Sequence, residues 1–78
     1  MPTVLLINGY RFFFFSNEGN EPRHVHVEKG DGTAKYWLDD IEEVYNFDFN
    51  PREKREIIGI VSEHQEFLIK KWDEYFND

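Results

Sequence analysis

Two adjacent residues, Asn8 and Gly9, constrain this chain more than any others. They separate the apolar run TVLLI at 3–7 from YRFFFF at 10–15. An Asn-Gly pair between apolar runs marks a two-residue hairpin, because a type I′ turn needs positive φ at both central positions. The pattern predicts a strand over about 3–7 and a second over about 10–16. NEGNEP at 17–22 is a loop by composition. A third strand follows over about 23–28, Gly30-Asp31-Gly32 turns the chain, and a fourth strand covers about 33–38. The result is an antiparallel meander.

Residues 39–49, DDIEEVYNFDF, are ambiguous. Ile41, Val44 and Tyr45 fit one helical turn, whereas EVYNF fits a short fifth strand. The segment reads as an irregular connection containing a strand or a turn. Asn50-Pro51 then starts a helix: Asn50 suits the N-cap, Pro51 the first helical position, and Glu53 completes a capping-box spacing. Apolar residues recur at Ile57, Ile58, Val61, Phe67, Leu68, Trp72, Tyr75 and Phe76, a stripe of helical period. The prediction is one helix over about 51–76, within a C-terminal segment 50–77. Gly59 marks either a close approach to the sheet or a bend into two helices. The expected fold is α+β: a meander of four strands, or five, covered on one face by a long amphipathic helix. All 78 residues form one domain, with the meander at 1–38 and the connection at 39–49.

The chain has no cysteine, which excludes disulfides and thiolate metal sites. It has no apolar run long enough for a membrane span and no signal-peptide pattern at the N-terminus, so a cytoplasmic location is expected. Residues 1–38 are electrically neutral, and the whole net charge of −7 lies in 39–78. That half should repel phosphate, which argues against nucleic-acid binding through it. No Gly-rich phosphate loop occurs, and no cofactor is expected.

The candidate site comes from strand alternation. In HVHVE at 24–28, His24, His26 and Glu28 share one face, and Val25 and Val27 share the other. The valines should face the helix. In YRFFFF both faces are apolar, the pattern of a strand covered on both sides. One helix does not explain it, so either a loop folds back or another chain packs there. The face away from the helix is expected to gather Arg11, Phe13, Phe15, His24, His26, Lys35 and Trp37.

Three readings of that face compete with a satisfied, partly solvated surface. The first is a protein-binding module that acts through a sheet edge or through a surface of Arg11, Phe13, Phe15, His24, His26 and Trp37, since aromatic residues and Arg dominate interface hot spots. The alternative is a small RNase-like enzyme, with His24 or His26 in acid–base work and Arg11 or Lys35 steadying a phosphate. The third is a metal site of His24 and His26, with Glu28 or Glu21 as a further ligand.

The segments PTVLLINGYRFFFFSNE, EPRHVHVEKGDGTAKYWL and NPREKREIIGIVSEHQEFLIKKWDEYF together resemble the prokaryotic domain of unknown function 4160 family, over nearly the whole chain. Arg23 departs from that pattern, where a second proline before the histidines is more usual. The resemblance carries a motif onto Arg11, Ser16, Asn17, Glu18, Pro22, His24 and His26. It also implies that Glu18 and His24, flanking one loop, hydrogen-bond and hold it. Members of the family are often encoded beside a small domain of unknown function 2442 protein, an arrangement similar to toxin–antitoxin modules. The resemblance therefore implies a protein partner, the product of a neighbouring gene; the doubly apolar second strand leaves a homodimer as another option.

Overall fold

A computed structural model describes residues 3–76. Five strands form one sheet in the order β1-β2-β3-β4-β5: β1 (Thr3–Ile7), β2 (Tyr10–Phe13), β3 (His24–Lys29), β4 (Gly32–Trp37) and β5 (Glu42–Phe47). Every neighbouring pair is antiparallel. The first turn has φ 54° at Asn8 and 83° at Gly9, as its sequence demands. The meander therefore forms as predicted, and the ambiguous 39–49 segment supplies a fifth strand. β5 carries a bulge, because Tyr45 pairs with Lys35 while Glu43 pairs with Tyr36, leaving Val44 as the extra residue.

The helical region differs in detail from the single helix predicted. α1 (Pro51–Glu63) and α2 (Gln65–Phe76) are separated at His64, not at Gly59. Nothing lies within 4 Å of the point where a Cβ on Gly59 would stand, so Gly59 marks no close approach. The helical backbone is interrupted at His64 (φ −108°, ψ 18°), and the next residue, Gln65, ties the junction down. Its side-chain amide donates to the carbonyls of Leu38 (2.7 Å) and Asp39 (3.1 Å), pinning the helix junction to the end of β4. The last part of the predicted 50–77 segment, residue 77, lies outside the described residues. The start of α1 follows the sequence closely. Asn50 Oδ1 accepts from the Glu53 N–H at 2.9 Å, and Glu53 Oε1 accepts from the Asn50 N–H at 3.0 Å. Such a box stabilises a helix start by about 1 kcal/mol.

The core lies between the sheet and the helices. Tyr10, Phe12, Val25, Val27, Ala34 and Tyr36 project from alternate strand positions against Ile57, Ile60, Val61, Leu68 and Trp72. The β3 valines face the helices as alternation requires. Gly32 admits Phe49 to this core: a Cβ there would stand 2.5 Å from the Phe49 ring.

β2 is shorter than predicted, ending at Phe13. Phe14 leaves the strand and packs against Trp72 (5.3 Å between ring centroids) and Phe76 (6.2 Å). The 14–23 connection then returns across the other face of the sheet. That return is what covers the second apolar face of β2.

Candidate functional site

The second face is built from cross-strand rows. One row runs Phe13, His26, Lys35, Tyr45; the next runs Arg11, Glu28, Thr33, Phe47; His24 and Trp37 are opposite one another at the end of β3. The 14–23 connection lies over the His24 and His26 end. Both imidazoles are buried, His24 completely and His26 to within 4% exposure. The expectation of a partly solvated histidine face is therefore corrected: the chain's own loop folds back over it through Glu18, and Trp72 of α2 reaches round to His24, with ring centroids 4.8 Å apart. Phe13 is buried as well, while Phe15 and Trp37 are half-buried. Phe13 stacks on the His26 ring at 5.6 Å, and Phe15 meets it edge-on at 4.5 Å.

Glu18 is the polar centre of this cover. Its Oε1 lies 2.7 Å from His24 Nε2 and 2.8 Å from His26 Nε2. The outer nitrogens are also engaged. His24 Nδ1 donates to the Pro22 carbonyl (2.8 Å), and the Tyr45 hydroxyl lies 3.2 Å from His26 Nδ1. The proton inventory follows from donor and acceptor types. His24 has an acceptor at each nitrogen, so it bonds both as imidazolium. His26 has a hydroxyl on one side and a carboxylate on the other, so the neutral ring satisfies it. A carboxylate between a cationic and a neutral imidazole closes the network with no orphan.

Burial and hydrogen bonding shift two members of the network. For Glu18 burial works to raise the pKa, but hydrogen bonds from both imidazoles outweigh it and hold the carboxyl below its ordinary value of 4.5. His26 is pushed below 6.5, first by burial and further by the His24 and Lys35 charges, against the opposing pull of Glu18.

The remaining candidates are placed elsewhere. Glu28 does not join the histidines, although alternation puts it on their face; it accepts from Arg11 Nη1 at 2.8 Å. Arg11 also donates from Nε to Thr3 Oγ1 (2.6 Å) and lies over the Phe13 ring. Glu21 receives Lys35 Nζ at 3.0 Å, and that ammonium sits 5.0 Å from the Trp37 ring centroid. Trp37 also lines a shallow groove of about 380 Å³ with Pro22, Arg23, Asp39, Asp40 and Glu42. Arg23 bridges this rim, at 3.1 Å from Asp39 and 3.4 Å from Asp73 of α2.

The residue that reading the strands alone overlooked is Tyr45. Its role depends on β5 existing and on the bulge at Val44, which sets it beside Lys35 in the His26 row.

The chain belongs to a family described as a domain of unknown function (DUF4160), whose model matches residues 9–73. That span runs from the first turn to α2 and includes every member of the Glu18–His24–His26 cluster. No curated protein and no solved structure matches the chain. Among the described residues, no helix is long and apolar enough to cross a membrane.

Proposed function

We propose that this domain is a non-catalytic protein-binding module, acting through the half of the second face that the 14–23 connection leaves uncovered. The observation that carries this reading is one cross-strand row. Leu6, Arg11, Glu28, Thr33 and Phe47 span the sheet from edge to edge. Its two ends, Leu6 at 68% exposure and Phe47 at 60%, are the most exposed large apolar residues described. Tyr45 supports Phe47 from within the sheet, with ring centroids 5.3 Å apart. The row thus presents an exposed aromatic residue on β5 and an oriented Arg on β2, residue types enriched at interfaces.

Contact is by side chains rather than by strand addition. β5 is an outer strand, but its bulge at Val44 and its two glutamates, Glu42 and Glu43, blunt backbone pairing. The partner in this reading is another protein, the product of a neighbouring gene in a toxin–antitoxin-like pair. An RNase-like role for His24, His26, Arg11 and Lys35 has less support, because acid–base groups must come within hydrogen-bond reach of substrate and both imidazoles are sealed.

The test is size-exclusion chromatography with light scattering on the chain alone and mixed with its neighbour's product. A stable complex that Phe47→Asp abolishes supports the proposal. A strict monomer that ignores its neighbour overturns it and turns attention to RNA cleavage by the wild type and His24→Ala. Phe13→Asp is unsuitable here, since Phe13 is buried and its loss would disturb the fold.

A further inference from the structure

We infer that Glu18, His24 and His26 form a binding site for one divalent transition-metal ion. The inference starts from convergence. One ligand atom from each of the three residues lies within 4.8 Å of the other two. Two imidazoles and one carboxylate are the donor set of catalytic zinc sites and of non-haem iron sites, which keep a position open for a further ligand. Imidazole donors favour zinc, iron, cobalt, nickel or copper over calcium and magnesium, which prefer all-oxygen sites.

The second shell carries the argument further. A histidine that ligates metal usually has its other ring nitrogen fixed by an oxygen, which sets the tautomer and the ring's direction. Both rings here meet that condition. His24 Nδ1 is held by the Pro22 carbonyl and His26 Nδ1 faces the Tyr45 hydroxyl, so both Nε2 atoms are aimed at one point. β3 fixes the first requirement, since two residues apart on one strand project the same way. The 14–23 connection supplies the third ligand. The phenyl rings of Phe13 and Phe15 wall the site.

Accommodating an ion needs movement of all three side chains. Ligand atoms about 2.0–2.1 Å from a tetrahedral ion stand roughly 3.3–3.4 Å apart. The present Nε2–Oε1 separations are 2.7 and 2.8 Å, so the carboxylate must draw back by roughly half an ångström. The widest pair of ligand atoms stands 4.8 Å apart, so the two imidazole rings must also swing toward each other by roughly an ångström or more. Glu18 moves most readily, since its side chain is 20% exposed and sits on a loop; the histidines keep their backbone places in β3 and converge by turning their rings. The Lys35 ammonium opposes a cation nearby, but Glu21 holds and offsets it at 3.0 Å. On binding, the ion displaces the proton on each Nε2: that of His24 is released to solvent, and that of His26 moves to Nδ1, leaving both rings neutral. Tyr45 then accepts from His26 Nδ1–H instead of donating to it.

The experiment uses chelator-stripped wild-type chain. Zinc is added and followed by thermal unfolding and by calorimetric titration, and cobalt(II) is added and followed by absorption. The expected results are one ion per chain, a rise in Tm with zinc, and the intense visible bands of four- or five-coordinate cobalt. Glu18→Gln and His26→Gln should weaken binding on the order of 100-fold or more. His64→Gln, which alters the one histidine outside the cluster, should leave it unchanged. Should a cluster variant fail to fold, the wild-type cobalt spectrum and stoichiometry decide. Absence of a zinc-induced Tm shift, a weak six-coordinate cobalt spectrum, or binding lost in His64→Gln but kept in Glu18→Gln would each overturn the site. None of these outcomes bears on the Phe47 surface, so the two proposals fail separately.

Discussion

The sheet face under the helices and the face under the 14–23 connection reach similar burial with different material. The helix face is filled by Phe12, Val25, Val27, Ala34 and the apolar stripes of α1 and α2. Its polar atoms lie at the rim, where the Tyr10 hydroxyl donates to Glu56 at 2.6 Å and that of Tyr36 to Glu43 at 3.4 Å. The loop face has only a short connection to cover it. Aromatic rings help, but its centre is a charged hydrogen-bond network around Glu18. Apolar packing is non-directional and tolerates repacking. A buried charge network holds only while every member is present. The two faces should therefore differ in how much a single change costs and in which condition undoes them.

The largest effect is expected on the helix face. Phe12→Ala removes a wholly buried ring and should cost about 3–5 kcal/mol, since the cavity cannot close fully. Urea unfolding measures it. A loss below about 1 kcal/mol would show that the two layers repack freely and that the contrast between the faces is false.

Next comes Glu18→Ala. Removing one partner from a buried charged network costs about 3–5 kcal/mol. Glu18 keeps some contact with water, so about 2–3 kcal/mol is expected. Glu18→Gln retains the shape and should fall in between. Because the cluster is shielded, the difference between wild type and Glu18→Ala should change little with salt. Strong salt dependence would place the network in solvent and remove the distinction drawn here.

These two faces were also unequally legible in the sequence. Alternation and helical period identify the helix face directly, because both read burial against a regular partner. HVHV shows which residues turn from the helices, and YRFFFF shows that something must cover them. Neither shows what does, since NEGNEP has the composition of any loop and carries no periodic signal. Hence the strands alone offered Glu28 as the neighbour of the histidines, while the connection delivers Glu18. The motif carried over by resemblance did include Glu18 with His24. Tyr45 was hidden for another reason: a bulge shifts register by one residue, and side-chain direction in β5 follows from it. The break between helices was sought at Gly59 on propensity, whereas it falls at His64, beside the long-range contacts of Gln65 that local propensity cannot show.

Changing pH should separate the faces by sign. Burial first, and the neighbouring glutamates next, raise the Tyr10 and Tyr36 hydroxyls from 10.0 to about 12. The unfolded chain then loses these protons more readily, so their contribution is intact below pH 10.0 and is lost as pH rises toward about 12. The loop face runs the other way. His26 is held below 6.5 and Glu18 below 4.5, so the unfolded chain takes up those protons first. Stability of the metal-free protein should fall as pH drops below 6.5, and fall further below 4.5. Thermal unfolding across pH tests both arms. Glu18→Ala should remove the fall below 4.5 and deepen the fall below 6.5, because it takes away the pull that keeps the His26 pKa up, and it should leave the alkaline arm in place; an unchanged acid arm would mean that other groups govern it.

The smallest effect tests whether the faces are joined at their shared end. Arg23 precedes β3 and reaches both Asp39, beyond β4, and Asp73 of α2. It thus spans from the loop side to the helix layer. Its guanidinium is more than one-third exposed, as are both partners, so screening by water keeps these pairs weak. Arg23→Ala should lower stability only slightly, less than either change above, and added salt should erase the difference. A larger, salt-resistant loss would mean that Arg23 couples the packing of α2 to the order of the 14–23 connection. In a double mutant with Glu18→Ala that coupling would appear as non-additivity. Simple addition of the two losses would leave the faces energetically independent, each held by its own cover.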